Sequence, residues 1–447
     1  MRVTYLSATG AIGGAERVLL DCLRATRASS ASLVALAPGP LLHEAARLGA
    51  DVRLVEAPAS LAGAGDAFGA GGVLREALPI LVGFRGFFSR FSQAVAEFAP
   101  DAVHSHGVKT HVLSAMLPRR PAVVWHLHDY IGMRSVSSRL LRVLAHRCDV
   151  VIAVSESVAR DARGILPGSV PIVVVHNAVD TSRFLPAGER LDLDALSGLP
   201  PAAPATIRIG LPATFAKWKG HDVFLKAISQ LQHHAVRAYV IGGPLYRTLN
   251  SQWSTDDLRR IVDSLALAGR VGFTGVVDDM PGAYRALDIV VHASTRPEPF
   301  GLVIAEAMAC GRALIVAPAG GAGELISDGV NAVAVNGGDP AALAAALDRV
   351  IAEPQLRQSL GRAARRHALV SFGQERFASE LDAALIESES RAGASERSRR
   401  ATREERAVRG PRERPPTRPG ALARSAEPSA KAEACAGVRG TKSLGEM

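Results

Sequence analysis

Short runs of Val, Ile, Leu and Ala recur through most of the chain and alternate with helical segments. The runs are continuous rather than alternating, as strands buried on both faces must be. A helix between successive runs supplies the crossover that a parallel pair requires. The first set of expected strands is 2–7, 33–37, 52–55, 101–104, 122–126, 150–154 and 171–175. The second set is 207–211, 238–241, 271–273, 289–292, 314–316 and 332–335, with helices expected at 221–233, 254–267, 301–310, 340–352 and 354–369. The stretch 181–204, rich in Pro, Gly, Asp and Leu without a period, reads as a linker. The pattern predicts an α/β protein of two doubly wound parallel sheets with a cleft between them, where two substrates would meet.

A length of 447 residues accommodates such an arrangement, and the 48% apolar, 5% aromatic composition implies cores of Ala, Val and Leu. The four cysteines, Cys22, Cys148, Cys310 and Cys435, lack CxxC spacing, so neither a disulfide framework nor a zinc site is expected and a reducing cytosol fits. The opening MRVTYLS runs directly into a glycine-rich turn, which is not the pattern of a signal peptide. No run approaches the roughly 18 apolar residues of a membrane span. The expected location is cytoplasmic, either free or peripheral on the inner face of the membrane.

Of the net charge of +9, six units fall in 388–447, which holds 14 Lys+Arg against 8 Asp+Glu. The remainder is nearly balanced, so no specific nucleic-acid partner is expected. Residues 388–447 have no aromatic side chain and no apolar period, and are expected to be disordered. The segment 57–72 is expected to form a mobile loop. The helix expected at 73–98 carries Phe84, Phe87, Phe88 and Phe91 beside Arg85 and Arg90. Core packing is the favoured reading of that face, and an interfacial helix pressed onto a membrane is the other.

The stretch 288–312 carries the most chemistry. A strand at 289–292 leads through a polar loop into an apolar helix that contains Glu306, with Glu298 in the loop. A carboxylate in such a helix costs several kcal/mol to bury unless something hydrogen-bonds it. It either pairs with a structural arginine or caps a turn, or it faces the cleft and accepts two hydroxyls of a ligand, such as a ribose diol. Ligands of open α/β sheets sit beyond the carboxyl ends of the strands, against helix N-termini. Gly13 and Gly14 follow the first strand and open a helix, where backbone N–H groups can approach an anion. Lys217 and Lys219 follow the first strand of the second set, placed to meet diphosphate oxygens or, for Lys217 above all, to form a solvated basic turn. His126 and His128 share one face at a strand end and could hold a metal, but no third ligand is evident and none is expected. His104 and His106 read as structural or as lining the cleft.

Five ordered motifs carry a resemblance: GGAER near the start, HLHD at 126–129, HNAVDTSRF at 176–184, KWKGHDVFLKA at 217–227 and EPFGLVIAE at 298–306. From residue 2 to about 387 the chain resembles a retaining glycosyltransferase of family 4 with the GT-B fold of two Rossmann-like domains. The resemblance implies an acceptor-binding domain at 1–185, a linker at 186–204 and a nucleotide-sugar-binding domain at 205–371. It also implies a helix at 372–387 that crosses back to the first domain. In this likeness Glu306 holds ribose hydroxyls, while Glu298, Phe300, Gly301 and Leu302 contact the transferred sugar and phosphates. His128 contacts the donor sugar near the reacting carbon, and Lys219 stabilises the departing diphosphate; these, with Glu298, are the expected catalytic residues. The family's usual Arg five residues before that Lys is Thr214 here, and Lys217 can supply charge but not a bidentate fork.

The expected activity is transfer of a sugar from a nucleoside-diphosphate sugar to a hydroxyl acceptor with retention, in cell-surface polysaccharide or glycolipid synthesis. The acceptor would be a saccharide or lipid-linked saccharide, and no cofactor or obligatory metal is expected beyond the co-substrate. A nucleotide-sugar epimerase of the same architecture and a catalytically inactive nucleotide-binding scaffold are the alternatives.

Overall fold

The structure is a computed structural model that describes residues 1–58, 77–118, 121–233, 235–244 and 251–409. The first half contains β1 (Arg2–Ser7), α1 (Gly14–Ala25), β2 (Ser30–Ala35), α2 (Pro40–Arg47), β3 (Asp51–Leu54), α3 (Ala77–Glu97), β4 (Ala102–His106) and α4 (Val108–Ala115). It continues with β5 (Ala122–Leu127), α5 (Ser135–Leu144), β6 (Val150–Ala153), α6 (Glu156–Arg163) and β7 (Ile172–Val174). A short α7 (Leu193–Leu196) precedes β8 (Ile207–Pro212), α8 (His221–Ser229), β9 (Val236–Ile241), α9 (Thr255–Ser264), β10 (Val271–Gly275) and α10 (Met280–Ala286). The rest is β11 (Ile289–His292), α11 (Leu302–Ala309), β12 (Ala313–Val316), β13 (Val333–Ala334), α12 (Pro340–Ala352), α13 (Pro354–Ser371) and α14 (Gln374–Arg409).

Two wholly parallel sheets result, ordered β3-β2-β1-β4-β5-β6-β7 and β10-β9-β8-β11-β12-β13. Each changes winding direction beside its first strand, at β1/β4 and at β8/β11, and crevices for ligands open beyond the carboxyl ends of such pairs. Strands β5 and β6 are buried throughout, which explains their unbroken apolar sequence.

The helix read at 73–98 appears as α3, with Phe87 and Phe91 fully buried among Leu6, Val34, Val103 and Leu113. Phe84 and Phe88 pack against the same core while Arg85 and Arg90 are exposed, so the core reading of this face holds. The mobile loop read at 57–72 lies, from 59 onward, outside the described residues.

The segment read as a linker is tied down at Asp194, which accepts hydrogen bonds from Tyr239 Oη and Arg237 Nη1 at 2.7 Å each. Phe377, Leu381 and Leu385 of α14 share a core with Val3, Tyr5 and Cys22, so this last helix packs on the first sheet's side. It does not stop at 387, where disorder was expected to begin. Ser388 is buried, and Arg391 Nη2 donates to Ser169 O at 2.9 Å. Backbone helix continues to Arg409, supported by the high helix propensity of its Ala, Glu and Arg residues. The disorder read for 410–447 lies outside the described residues.

Candidate functional site

In the second half, β11 delivers the loop at 293–301, and Gly301 caps α11 with φ 99°, a left-handed conformation suited to glycine. Glu298 is held in this loop by a parallel bridge to Gly320 and by Glu298 N donating to Ala319 O at 2.9 Å. Its carboxylate meets Lys219 Nζ at 2.5 Å, Ser294 Oγ at 3.2 Å and His292 Nε2 at 3.4 Å. Burial works to raise the Glu298 pKa, but the Lys219 ammonium and the His292 ring hold it well below the usual carboxylate range. Lys219 reaches this position because Gly220, with φ 74°, turns the chain against the backbone of Ala293, where any side chain would collide with the Ala293 carbonyl.

Glu306, one helical turn and more into α11, accepts a hydrogen bond from Tyr284 Oη at 2.8 Å. Burial pushes its pKa up to about 6, against the downward pull of Tyr284 and of Arg17 and Arg183. No salt bridge within 4.0 Å engages it among the described residues, and Arg17 and Arg183 act on it only from farther away. Arg17 belongs to α1, so Glu306 is placed where the two halves of the molecule approach each other.

The first half contributes the ends of β4 and β5. His106 Nδ1 and His128 Nε2 share a hydrogen bond at 2.8 Å. His104 and His126 stack with ring centroids 5.2 Å apart, and His126 and His128 with centroids 4.3 Å apart. Burial drives the His104 and His128 pKa values down to about 3 and those of His106 and His126 well below normal, so all four rings are neutral at physiological pH. Nitrogens of His106, His126 and His128 lie within 4.8 Å of one another, supplying the third ligand that the sequence did not make evident. Neutral imidazoles can in principle ligate a transition metal. Gly13 N donates to Glu16 Oε2 at 3.0 Å at the start of α1. A Cβ at Gly14 would meet nothing within 4 Å, so open space faces that turn.

Two junctions bring the halves together. Tyr130 Oη, directly after HLHD, donates to Glu298 O at 3.2 Å and also meets Ser157 Oγ at 3.1 Å. Glu324 accepts from the amides of Glu156 and Ser157 at 2.8 and 2.7 Å, at the N-terminus of α6. The HLHD and EPFG segments therefore adjoin, with Asp129 near enough to Glu298 for like-charge repulsion to add to the burial that raises its pKa.

Of the residues singled out from sequence, Lys219 and Glu298 are brought into contact, Gly301 and Leu302 open α11, and His128 lies on the facing half. Lys217 goes elsewhere, its ammonium 5.1 Å from the centre of the Trp253 ring. Phe300 is buried, edge-on to Phe372 and near His176, which leaves its backbone rather than its ring for a ligand. Thr214 is half-buried in the loop after β8. Sequence reasoning passed over His292, Ser294, Tyr284, Tyr130 and Glu324. His292 alone carried a signal, as the last residue of a strand whose carboxyl end faces the crevice.

Two doubly wound parallel sheets, in contact through the loops beyond the carboxyl ends of their strands, define the GT-B architecture. The profile of glycosyl transferases group 1 matches residues 206–367, and that of Glycosyltransferase Family 4 matches residues 12–183. The chain belongs to glycosyltransferase family 4. It is 34% identical over 229 residues to a D-inositol 3-phosphate glycosyltransferase of Salinispora arenicola, covering 47% of this chain and 48% of that protein. It is 34% identical over 241 residues to the lipopolysaccharide core biosynthesis mannosyltransferase LpcC of Rhizobium leguminosarum bv. viciae, covering 54% of this chain and 65% of that one. The chain thus spans about half to two thirds of the length of these relatives. HepE of Anabaena, solved in complex with UDP, superimposes with a TM-score of 0.72 at 25% identity, over 86% of this chain and 100% of that chain.

Proposed function

We propose that the protein transfers a sugar from a nucleoside-diphosphate sugar to a hydroxyl of a saccharide or lipid-linked acceptor, with retention at the anomeric carbon. The observation that carries this reading is the Lys219–Glu298 pair at the mouth of α11, facing the HLHD segment across the Tyr130 contact. In the reaction Lys219 turns from Glu298 toward the diphosphate and, with the amides of Gly301 and Leu302, stabilises the charge that develops as the glycosidic bond breaks. Glu298, released, accepts hydroxyls of the sugar, and Glu306 grips the ribose. His128, neutral, contacts the sugar near its reacting carbon. The leaving phosphate oxygen takes the acceptor proton on the same face, so no separate base is required.

The HepE complexes with UDP and with UDP-glucose support a nucleotide-sugar donor, and the lipopolysaccharide mannosyltransferase relative supports a glycolipid acceptor. No helix among the described residues is long and apolar enough to cross a membrane, so a lipid-linked acceptor would be met from the surface. The test is incubation with UDP-, GDP- and ADP-sugars, with and without membrane extract, while free nucleotide and labelled product are followed. Acceptor-dependent nucleotide release supports transfer. Conversion of donor alone to an epimer, or binding without turnover of any donor, discards it.

A further inference from the structure

Among the described residues of the first half, several exposed apolar side chains gather on and just before α5, immediately after the HLHD segment and its Tyr130 contact. Met133, Val136, Leu140 and Val143 are 63%, 52%, 43% and 69% exposed. Taken at about 100° per residue, Val136, Leu140 and Val143 form one stripe, with Arg139, His146 and Arg142 in a second stripe beside it. The opposite side is the one that packs, with Leu141 and Ala145 fully buried. The exposed half of this helix is therefore itself divided into an apolar strip and a cationic strip.

Its charges are one-sided. The helix SVSSRLLRVL contains two arginines and no acid, and Arg139, Arg142 and His146 are exposed. The acids facing this region belong to neighbouring segments. Asp129 pairs with Arg134 at 3.5 Å, and Asp161 accepts from Gly132 N at 3.0 Å. Neither pairs with Arg139 or Arg142 among the described residues, and both guanidinium groups face solvent. An apolar strip bordered by arginines matches the boundary between acyl chains and anionic headgroups, where apolar side chains insert and guanidinium groups meet phosphates.

We propose that α5 with the preceding Met133 is the surface by which this protein docks onto a bilayer containing anionic lipid. The proposal deepens the reading above, since it rests on the acceptor being lipid-linked for its purpose. Docking through α5 sets the mouth beside His128 and Tyr130 against the headgroup layer, so that a lipid-anchored hydroxyl reaches the site without leaving the membrane. The helix at 77–97 is not the docking element, because its phenylalanines face the core.

The experiment is cosedimentation of the full chain with vesicles of phosphatidylcholine alone and of phosphatidylcholine mixed with phosphatidylglycerol, at low and high salt. Wild type is expected to bind the anionic vesicles and to release at high salt. The triple variant Val136→Ser, Leu140→Ser, Val143→Ser and the double variant Arg139→Ser, Arg142→Ser should each lose at least about tenfold in partitioning. Their melting temperatures should match wild type, since these side chains contact solvent. Wild-type protein that stays in the supernatant overturns the proposal, as do variants that sediment like wild type. Loss of a wild-type dimer in the triple variant, without vesicle binding, assigns the strip to a second copy and overturns it equally. Vesicle binding is read without any sugar transfer, so a failed transfer assay with intact binding overturns the proposed function and leaves this surface standing.

Discussion

Lys219 and Glu298, 79 residues apart in sequence, form a 2.5 Å ion pair beyond the carboxyl ends of β8 and β11. Both partners are shielded, with side chains 23% and 14% exposed, so removing one leaves the other buried and unpaired. Lys219→Ala is expected to lower kcat by about 10²–10³-fold through lost leaving-group stabilisation. It should also make the fold less tolerant of neutral pH, because a lone Glu298 is then buried ionised. In wild type the depressed Glu298 pKa contributes stability that is complete above the unfolded value near about 4.3 and is lost as pH falls toward the folded value. Melting temperature followed from pH 7 downward should therefore drop less steeply below about pH 4 in Glu298→Gln than in wild type.

Glu324 binds two amides at the start of α6 in the other half of the molecule, where the helix field favours a negative charge. The contact is a charge-assisted cap supplied in trans by a distant segment. Glu324→Ala should cost about 1–2 kcal/mol of unfolding free energy. Hydrogen exchange at Glu156 and Ser157 should rise with it. Faster exchange spread evenly over the chain, rather than concentrated at α6, would contradict a local cap.

The sheets were legible because strands buried on both faces must be apolar throughout, and Val150 to Ala153 is such a run. The doubly wound order followed from the alternation with helices, not from any single residue. Glu306 was legible because it sits in an otherwise apolar helix after a strand, and Glu298 because it opens the EPFGLVIAE motif that carries the resemblance. Their partners were not, because Tyr284, His292 and Ser294 acquire roles only when β11, α10 and the 293–301 loop converge. Tyr130 and Glu324 meet their partners across 168 residues of sequence, a separation no local pattern reports. The extension of α14 beyond 387 was missed because its few buried side chains, such as Ser388, do not form an apolar stripe.

Phe91 tests the assignment of the aromatic helix. Its ring is fully buried and stacks near Phe87 with centroids 6.2 Å apart. Phe91→Ala should cost about 3–5 kcal/mol by lost burial and cavity formation. Arg85→Ala and Arg90→Ala, on the exposed side, should leave urea unfolding within about 0.5 kcal/mol of wild type. Equal effects at Phe91 and Arg90 would show that the helix does not face the core as described.

Glu306 sets the final prediction, because its pKa of about 6 falls in an accessible range. Burial is the main cause, and the Tyr284 hydroxyl opposes it by stabilising the ionised form. Since the folded value lies above the unfolded one, stability from this group is present below about pH 4.3 and is lost as pH rises through about 6. Ligand binding runs the opposite way. An ionised carboxylate accepts two ribose hydroxyls, whereas the protonated acid must spend one oxygen as a donor. Donor KM, measured with the nucleotide sugar that the panel identifies, should therefore fall as pH rises through about 6. The histidines of HLHD do not confuse this step, since burial keeps His128 neutral down to about pH 3. Glu306→Gln should raise KM at least tenfold at pH 7.5, by loss of charge-assisted hydrogen bonds worth about 1.5–3 kcal/mol, and should flatten the pH step. Tyr284→Phe removes the hydrogen bond that favours ionisation, so its step should move to higher pH while KM at high pH stays near wild type. A pH step that is unchanged in both variants would remove Glu306 from the donor site.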